Sequence, residues 1–334
     1  MTDLLYGLYK SKIELLNLPY DLQISTTTIT CHLDITFNVE NIGLYFNDFD
    51  DIIVGKRYGN RIVNNLVNIK KLKIGKKKKR KEKKNFYNQV SLIFRSATLM
   101  GLDPDKMTIK EKFKTVNIKL FINGSIQMTG CKHLDNIQKT LEILFDRLKI
   151  RKAVIYKNQF IIKPFVSKSI INKDDDNKDD NKEDNKEDNK EDNNQQILDA
   201  KIYGELYYNK LIKKLNVKNV DNFKIVMINT NFNILFQINR EKLYQLLKDD
   251  GFDVIFDPIT HACVNIKYQI NENPKKTISI FVFESGSITI AGSNSYYQVL
   301  ETYNFINKFI LSNYDKLLTK NITPQLIIQL IQNI

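Results

Sequence analysis

The sequence predicts an α+β fold, a pseudo-twofold pair of sheet-and-helix repeats that carry charged insertions. The first observation is an echo. Residues 116–130, VNIKLFINGSIQMTG, are repeated in altered form at 278–292, ISIFVFESGSITIAG. Phe121, Gly124, Ser125, Ile126 and Gly130 match Phe283, Gly286, Ser287, Ile288 and Gly292 at a single offset of 162 residues. The second is local pattern: both copies alternate apolar and polar residues around an Asn-Gly or Ser-Gly pair, the signal for two strands joined by a tight turn. The third is a helical stripe after each copy. Leu134, Ile137, Leu141, Leu144 and Leu148 fall on one helical face after the first, and Val299, Tyr303, Ile306 and Ile310 do so after the second. The gap between copies is too long for a solenoid, so the duplication implies two half-domains.

Taken in order, residues 1–20 predict a helix through Leu4, Leu5, Leu8, Ile13, Leu15 and Leu16. Residues 22–35 are rich in β-branched side chains and predict a strand, with a short helix over 38–46 entered through a polar residue. The matching segments of the second repeat are a strand over 224–236 and a helix over 239–247. Aligning Ile24 with Asn229 makes the first repeat about 43 residues longer inside (24 to 121 against 229 to 283). Most of that excess is a basic insertion, residues 56–85, with 11 basic residues between Lys70 and Lys84. A lysine run stays solvated because it cannot be buried, and it also suits phosphate contacts or nuclear import. Residues 86–96 and 260–270 predict the strand before each central pair, and 153–165 a further strand pair or an extended arm. The tract 173–194 cycles through Asn, Lys, Glu and Asp; its 11 acids and 5 lysines give −6, and it has nothing apolar to bury. It reads as a disordered linker or as an intramolecular competitor for the basic surface. Residues 197–215 are helix-like, and the apolar C-terminus predicts a helix folded on the core. The domain plan is therefore 1–20 helical, 21–165 repeat one, 166–196 linker, 197–312 repeat two and 313–334 helical tail.

A chain of 334 residues can bury a substantial core, and 51 Lys and Arg against 38 Asp and Glu give +13. That balance favours polyanionic partners over acidic small substrates. No apolar run approaches the ~20 residues that span a bilayer, and no signal-peptide core opens the sequence, so no membrane is expected. Cys31, Cys131 and Cys263 form no close-spaced pair and fit a reducing compartment.

The segment from Phe121 to Gly130, Phe-x-x-Gly-Ser-Ile-x-x-Thr-Gly, with its second copy, resembles the strand pair found once per repeat in TATA-box-binding proteins. The Asn-Gly-Ser turn and Gln-Met-Thr-Gly-Cys make it most similar to the divergent TATA-binding-like proteins of giant DNA viruses. The resemblance covers about two-thirds of the chain. It implies a saddle whose concave β-sheet lies on the minor groove of double-stranded DNA and bends it with aromatic wedges. It also implies a transcription-factor-B-type protein and RNA polymerase as partners, no cofactor, and a location in a viral factory of the host cytoplasm or in the host nucleus. On this resemblance Ile24 and Thr26 face the nucleic acid in repeat one. Phe86 or Tyr87 supplies a wedge, and Phe121, Gln127 and Thr129 complete the face. Repeat two would contribute Asn229, Asn231, His261, Phe283, Thr289 and Ala291. Lys76, Lys77, Lys78, Lys79, Arg80 and Lys81 would make auxiliary phosphate contacts. The family's mid-saddle asparagines are replaced by Leu22 and Met227, His261 stands where a wedge is expected, and Ala291 replaces the partner of Thr129, so standard TATA preference is in question.

Catalysis finds little support. There is no P-loop, no Gly-x-Ser-x-Gly and no His-Glu-x-x-His, and the pairs Cys31-His32, Cys131/His133 and His261/Cys263 are too isolated for a zinc site. No catalytic residue and no metal ligand is assigned, and the chain is read as a non-enzyme. The alternatives are a sequence-independent architectural DNA-binding protein and a nucleic-acid-processing enzyme module. Phe121 and Phe283 also admit a plain reading as core aromatics.

Overall fold

The computed structural model describes residues 18–64, 86–99, 101–103, 106, 108, 114–131, 134–156, 159–167, 197–200, 206–271 and 273–319. The expected N-terminal helix, the lysine run, the acidic tract and the end of the C-terminal tail lie outside them. The chain divides into two compact units, residues 29–224 and residues 1–28 with 225–334.

In the first unit β1 (Gln23–His32), which the division crosses, is followed by β2 (Thr36–Phe37) and the helix Val39–Tyr45. Asn38 starts that helix by accepting from the Asn41 N–H at 3.1 Å, which satisfies one of the free donors of the first turn. Then come β3 (Ile53–Tyr58), β4 (Arg61–Asn64), β5 (Gln89–Arg95), β6 (Thr115–Phe121) and β7 (Ser125–Cys131). Their order across the sheet is β1-β7-β6-β5-β3-β4. The first residues of the expected insertion, 56–58 and 61–64, are strand and belong to the hairpin β3–β4. Val116, Ile118, Leu120, Ile126 and Met128 point to one side and are all buried, as are Ile137, Leu141, Leu144 and Leu148 of the helix Leu134–Leu148 that packs on it. Each fully buried aliphatic side chain of this layer contributes about 1.5–3 kcal/mol.

The rest of this unit is peripheral. Strands β8 (Arg151–Tyr156) and β9 (Gln159–Lys163) form the expected pair, and β10 (Val166–Ser167) pairs with β2. Residues 197–200, expected as the start of a helix, are strand β11 (Ile197–Ala200) instead, because their backbone pairs with β8. The helix begins only at Leu206 and ends at Lys214.

The second unit repeats the plan with β12 (Asp221–Asn233), again crossed by the division, the helix Arg240–Asp249, β13 (Asp253–Ile255), β14 (Cys263–Ile270), β15 (Asn273–Phe283) and β16 (Ser287–Ser293). The sheet order is β13-β14-β15-β16-β12, and Ile278, Ile280, Val282, Ile288 and Ile290 are buried beneath the helix Tyr296–Ser312. Asn239 caps its helix as Asn38 does, accepting from Lys242 N–H at 3.0 Å. Even the helical threonines match: Thr140 and Thr302 are fully buried and donate to the carbonyls of Asn136 and Gln298 four residues back.

The turns give the repeat its register. Leu33 N–H donates to Gly124 O and Ile234 N–H to Gly286 O, each at 3.1 Å. Together with the caps Asn38 and Asn239, this sets an offset of 201 residues for the first strand and helix. Asn229 and Asn231 therefore match Thr28 and Thr30, not Ile24 and its neighbours, and Leu22 and Met227 are not equivalent. The alignment expected from sequence is four residues out, and the first repeat is 39 residues longer between these points (28 to 121 against 229 to 283). Alternation has a period of two, so a shift of four residues leaves every side chain on the same face and the pattern alone does not separate the two alignments.

Candidate nucleic-acid interface

In a strand alternate side chains face opposite ways, so burying one face under a helix leaves the other uncovered by it. On the first unit that open face is written in cross-strand rows. One row runs Ile62, Arg57, Ser91, Lys119, Gln127 across β4, β3, β5, β6 and β7. The next runs Gly55, Ile93, Asn117, Thr129, and at the other side Gln89 lies opposite Phe121. Phe121, Gln127 and Thr129 thus share one face and are half-buried. Phe86 and Tyr87 precede β5 rather than start it, and each is more than half exposed. The Tyr87 ring meets Tyr58 edge-on at 5.5 Å and lies over Gly59, where a Cβ would collide with it. A groove of about 590 Å³ opens on this face between Phe86, Ile62, Arg57, Lys119 and Asn117.

The second unit presents Ile255, Asn265, Phe281, Thr289 and Asn231 in the matching row. Beside it lie Lys267, Ser279, Ala291 and Asn229, and Cys263 faces Phe283. Asn229, Asn231, Phe283, Thr289 and Ala291 are thereby brought onto one face. Asn229 spends its side-chain oxygen on Gly292 N–H at 3.2 Å, which fixes its amide group in orientation. Lys267 donates to Ser279 Oγ at 2.8 Å. His261 stands outside these rows, exposed in the turn before β14, where its carbonyl accepts from Arg240. Asp257 builds that turn by accepting from Ile259 N–H and the Thr260 hydroxyl, whose bonds hold its carboxyl below the usual range. The turn displays Ile259, which is 95% exposed.

Ile24 and Thr26 belong to the second unit by contact and are half-buried; Ser25 donates to Asn229 O at 3.0 Å beside them. The Thr26 hydroxyl is buried without a partner among the described residues. Lys76 to Lys81 lie outside the described residues. The sequence reading missed Arg57, Ser91, Asn117 and Lys119, and also Asn265 and Phe281. Lys119 and Asn117 share the parity of Phe121, and Phe281 that of Phe283, so alternation alone identifies those three. Arg57 is hidden in sequence because it falls within the expected insertion.

Chemically these are two faces of aromatic, amide and hydroxyl side chains, with Arg57 and Lys119 on the first and Lys267 on the second. Neither holds a clustered acid-base pair. Among the described residues no group of three or more His, Cys, Asp and Glu side chains could hold a metal, and no helix is long and apolar enough to cross a membrane. Cys31 and Cys131 are buried, and burial pushes their thiols up to about 12, so little thiolate is present at neutral pH.

No family model matches the chain. Among solved structures it aligns with Methanococcus jannaschii TBP over 87% of this chain and 99% of that chain, at 11% identity and a TM-score of 0.40. Among curated proteins it is 29% identical over 309 residues to the "TATA-box-binding protein-like" protein of Acanthamoeba polyphaga mimivirus, a match covering 89% of this chain. The chain spans 66% of the length of that relative. The resemblance carried by the two Gly-Ser hairpins thus extends, as a similarity to a giant-virus TATA-box-binding protein-like protein, along most of the sequence.

Proposed function

We propose that this chain is a TATA-box-binding-like general transcription initiation factor. It binds promoter DNA through the open sheet faces, bends the DNA with minor-groove aromatics, and recruits a transcription-factor-B-type protein and RNA polymerase. It acts in a viral factory of the host cytoplasm or in the host nucleus. The observation that carries the reading is the recurrence of Phe121 and Phe283 at one position of two duplicated hairpins, each half-buried on the helix-free face. The name of the mimivirus relative and the +13 charge support it. A minor groove presents a degenerate edge pattern, which uncharged amides and hydroxyls suit. Wedge aromatics unstack a base step at about a few kcal/mol, recovered by wrapping more protein; TATA-box-binding protein is itself a standard example of this.

The test is Phe121→Ala and Phe283→Ala, measured by chemical denaturation and by fluorescence transfer across an end-labelled duplex. Wedges on an open face lose bending while stability falls by less than the ~3–5 kcal/mol of a truncated core phenylalanine. Heavy destabilisation with bending retained by the folded fraction overturns the reading. A second reading, sequence-independent architectural binding, draws on the lysine run and on the cations of the first face. Equal binding to AT-rich and GC-rich duplexes with a steep salt slope selects it.

A further inference from the structure

The outer edge of the first unit's open face has no chemical counterpart on the second. In its row, Ser91 stands between two long cations, Arg57 on one neighbouring strand and Lys119 on the other. Strand spacing places their backbones about 10 Å apart, so both side chains can close over one anion above the small Ser91. The matching row of the second unit offers Ile255, Asn265 and Phe281, with no cation. Charge alone points to a phosphate: no acidic side chain lines the groove among the described residues, and Arg57 and Lys119 enter no ion pair there.

A phosphate does not account for the walls. Phe86 and Ile62, 56% and 62% exposed, line the same groove and give it an apolar wall on which a planar ring can stack. Between walls and cations stand two amides, Gln89 and Asn117, and Asn117 Oδ1 is buried without a hydrogen-bond partner among the described residues. An aromatic face, amides for a base edge and a cation pair for a phosphodiester together match a nucleotide. The volume, about 590 Å³, lies within the ~300–1,000 Å³ of small-ligand pockets. In an intact duplex each base face is covered by its neighbours and is reached only at the cost of unstacking a step. An unpaired strand offers the whole face to Phe86 without that cost, which favours a single strand.

We propose that this groove binds one nucleotide of single-stranded nucleic acid, its base stacked on Phe86 and its phosphate held by Arg57 and Lys119 over Ser91. The inference does not require the duplex-bending role. Its test is fluorescence anisotropy of a short labelled thymidine oligomer with the full chain and with Phe86→Ala and Arg57→Ala/Lys119→Ala. All three side chains are at least partly exposed, and thermal melting checks that the variants fold. Phe86→Ala should weaken single-strand binding about tenfold. The double variant should weaken it further and reduce the salt slope by about 1.4, the value for two phosphate contacts on a single strand. Unchanged affinity in folded variants overturns the site. Displacement of the oligomer by micromolar thymidine monophosphate overturns it in favour of a free-nucleotide pocket. Duplex bending on the same proteins keeps the two claims apart. Loss of single-strand binding without any duplex bending by the parent chain supports the groove and sinks the transcription-factor reading. Bending by a parent chain whose variants bind single strands normally does the reverse.

Discussion

Cys263 is the one free cysteine that shares a face with the proposed DNA contacts, directly opposite Phe283. Burial pushes its thiol up, with Arg240 pulling it back, whereas Cys31 and Cys131 are sealed and raised to about 12. Thiolates are the reactive species, so a maleimide probe should label Cys263 first and leave the other two nearly untouched in the folded chain. Duplex DNA should slow that labelling at least severalfold; a rate unaffected by saturating DNA would place the duplex elsewhere. Lys56 poses a different question of charge. It is 6% exposed and closes the C-terminal end of the helix Val39–Tyr45, donating to Phe46 O at 2.6 Å and Ile42 O at 3.4 Å. Burial, then the Arg61 charge, lowers it to about 8 from 10.5. A depressed base costs most where it is charged in both states. Below about pH 8 the penalty is therefore complete, and it fades as pH rises from about 8 towards 10.5, where only the unfolded chain still binds the proton. Urea titrations of the parent chain and Lys56→Met across that window should show their stability difference moving in favour of the parent. A constant difference would mean the ammonium is fully compensated by its carbonyl partners.

The two hairpins are equal in sequence pattern but not in tolerance. Gly130 and Gly292 have φ of +99° and +101°, a region where any other residue is strained. A Cβ at Gly130 would also lie 2.5 Å from Thr115 O, whereas at Gly292 the nearest atom, Thr277 O, is 4.0 Å away. Gly292→Ala should cost about 1–3 kcal/mol from strain alone, and Gly130→Ala more, measured by denaturant unfolding. Equal losses would show that β7 yields freely. These hairpins are legible in the sequence because every local cue agrees: alternation, turn glycine, then a helical stripe ending in an apolar face. The caps Asn38 and Asn239 are legible for the same reason. The open face is half legible. Phe121, Gln127 and Thr129 follow from parity, but Arg57 comes from a strand hidden at the edge of a lysine-rich stretch. The first-strand register fails because the alternation of β12, buried at Ile228, Thr230 and Phe232 with Asn229 and Asn231 between them, fits as well after a shift of four residues. Strand β11 escapes a sequence reading because its pairing with β8 is non-local, and four residues of mixed propensity give no warning of it.

Across the whole molecule, charge is partitioned rather than spread. The chain carries +13, the tract 173–194 carries −6, and the remainder is therefore +19. Replacing Lys76, Lys77, Lys78, Lys79, Arg80 and Lys81 by glutamine should weaken every duplex alike and flatten the salt slope, by about 0.9 for each phosphate no longer neutralised. Weakening confined to one sequence class would mean the run reads bases. Deleting 173–194 tests the opposite sign. The tract has no apolar residue to contribute to a core, so its removal should leave the melting temperature unchanged. If the tract acts as a tethered polyanion that competes with DNA for the same cations, the shortened chain should bind duplexes more tightly at about 0.05 M salt; if it is only a linker, affinity should stay equal. Any gain should vanish towards 1 M salt, where the screening length falls to about 3 Å and both interactions disappear together. A gain that survived high salt would point to steric blocking by the tract instead of charge. A large fall in melting temperature would show that the segment belongs to the folded body.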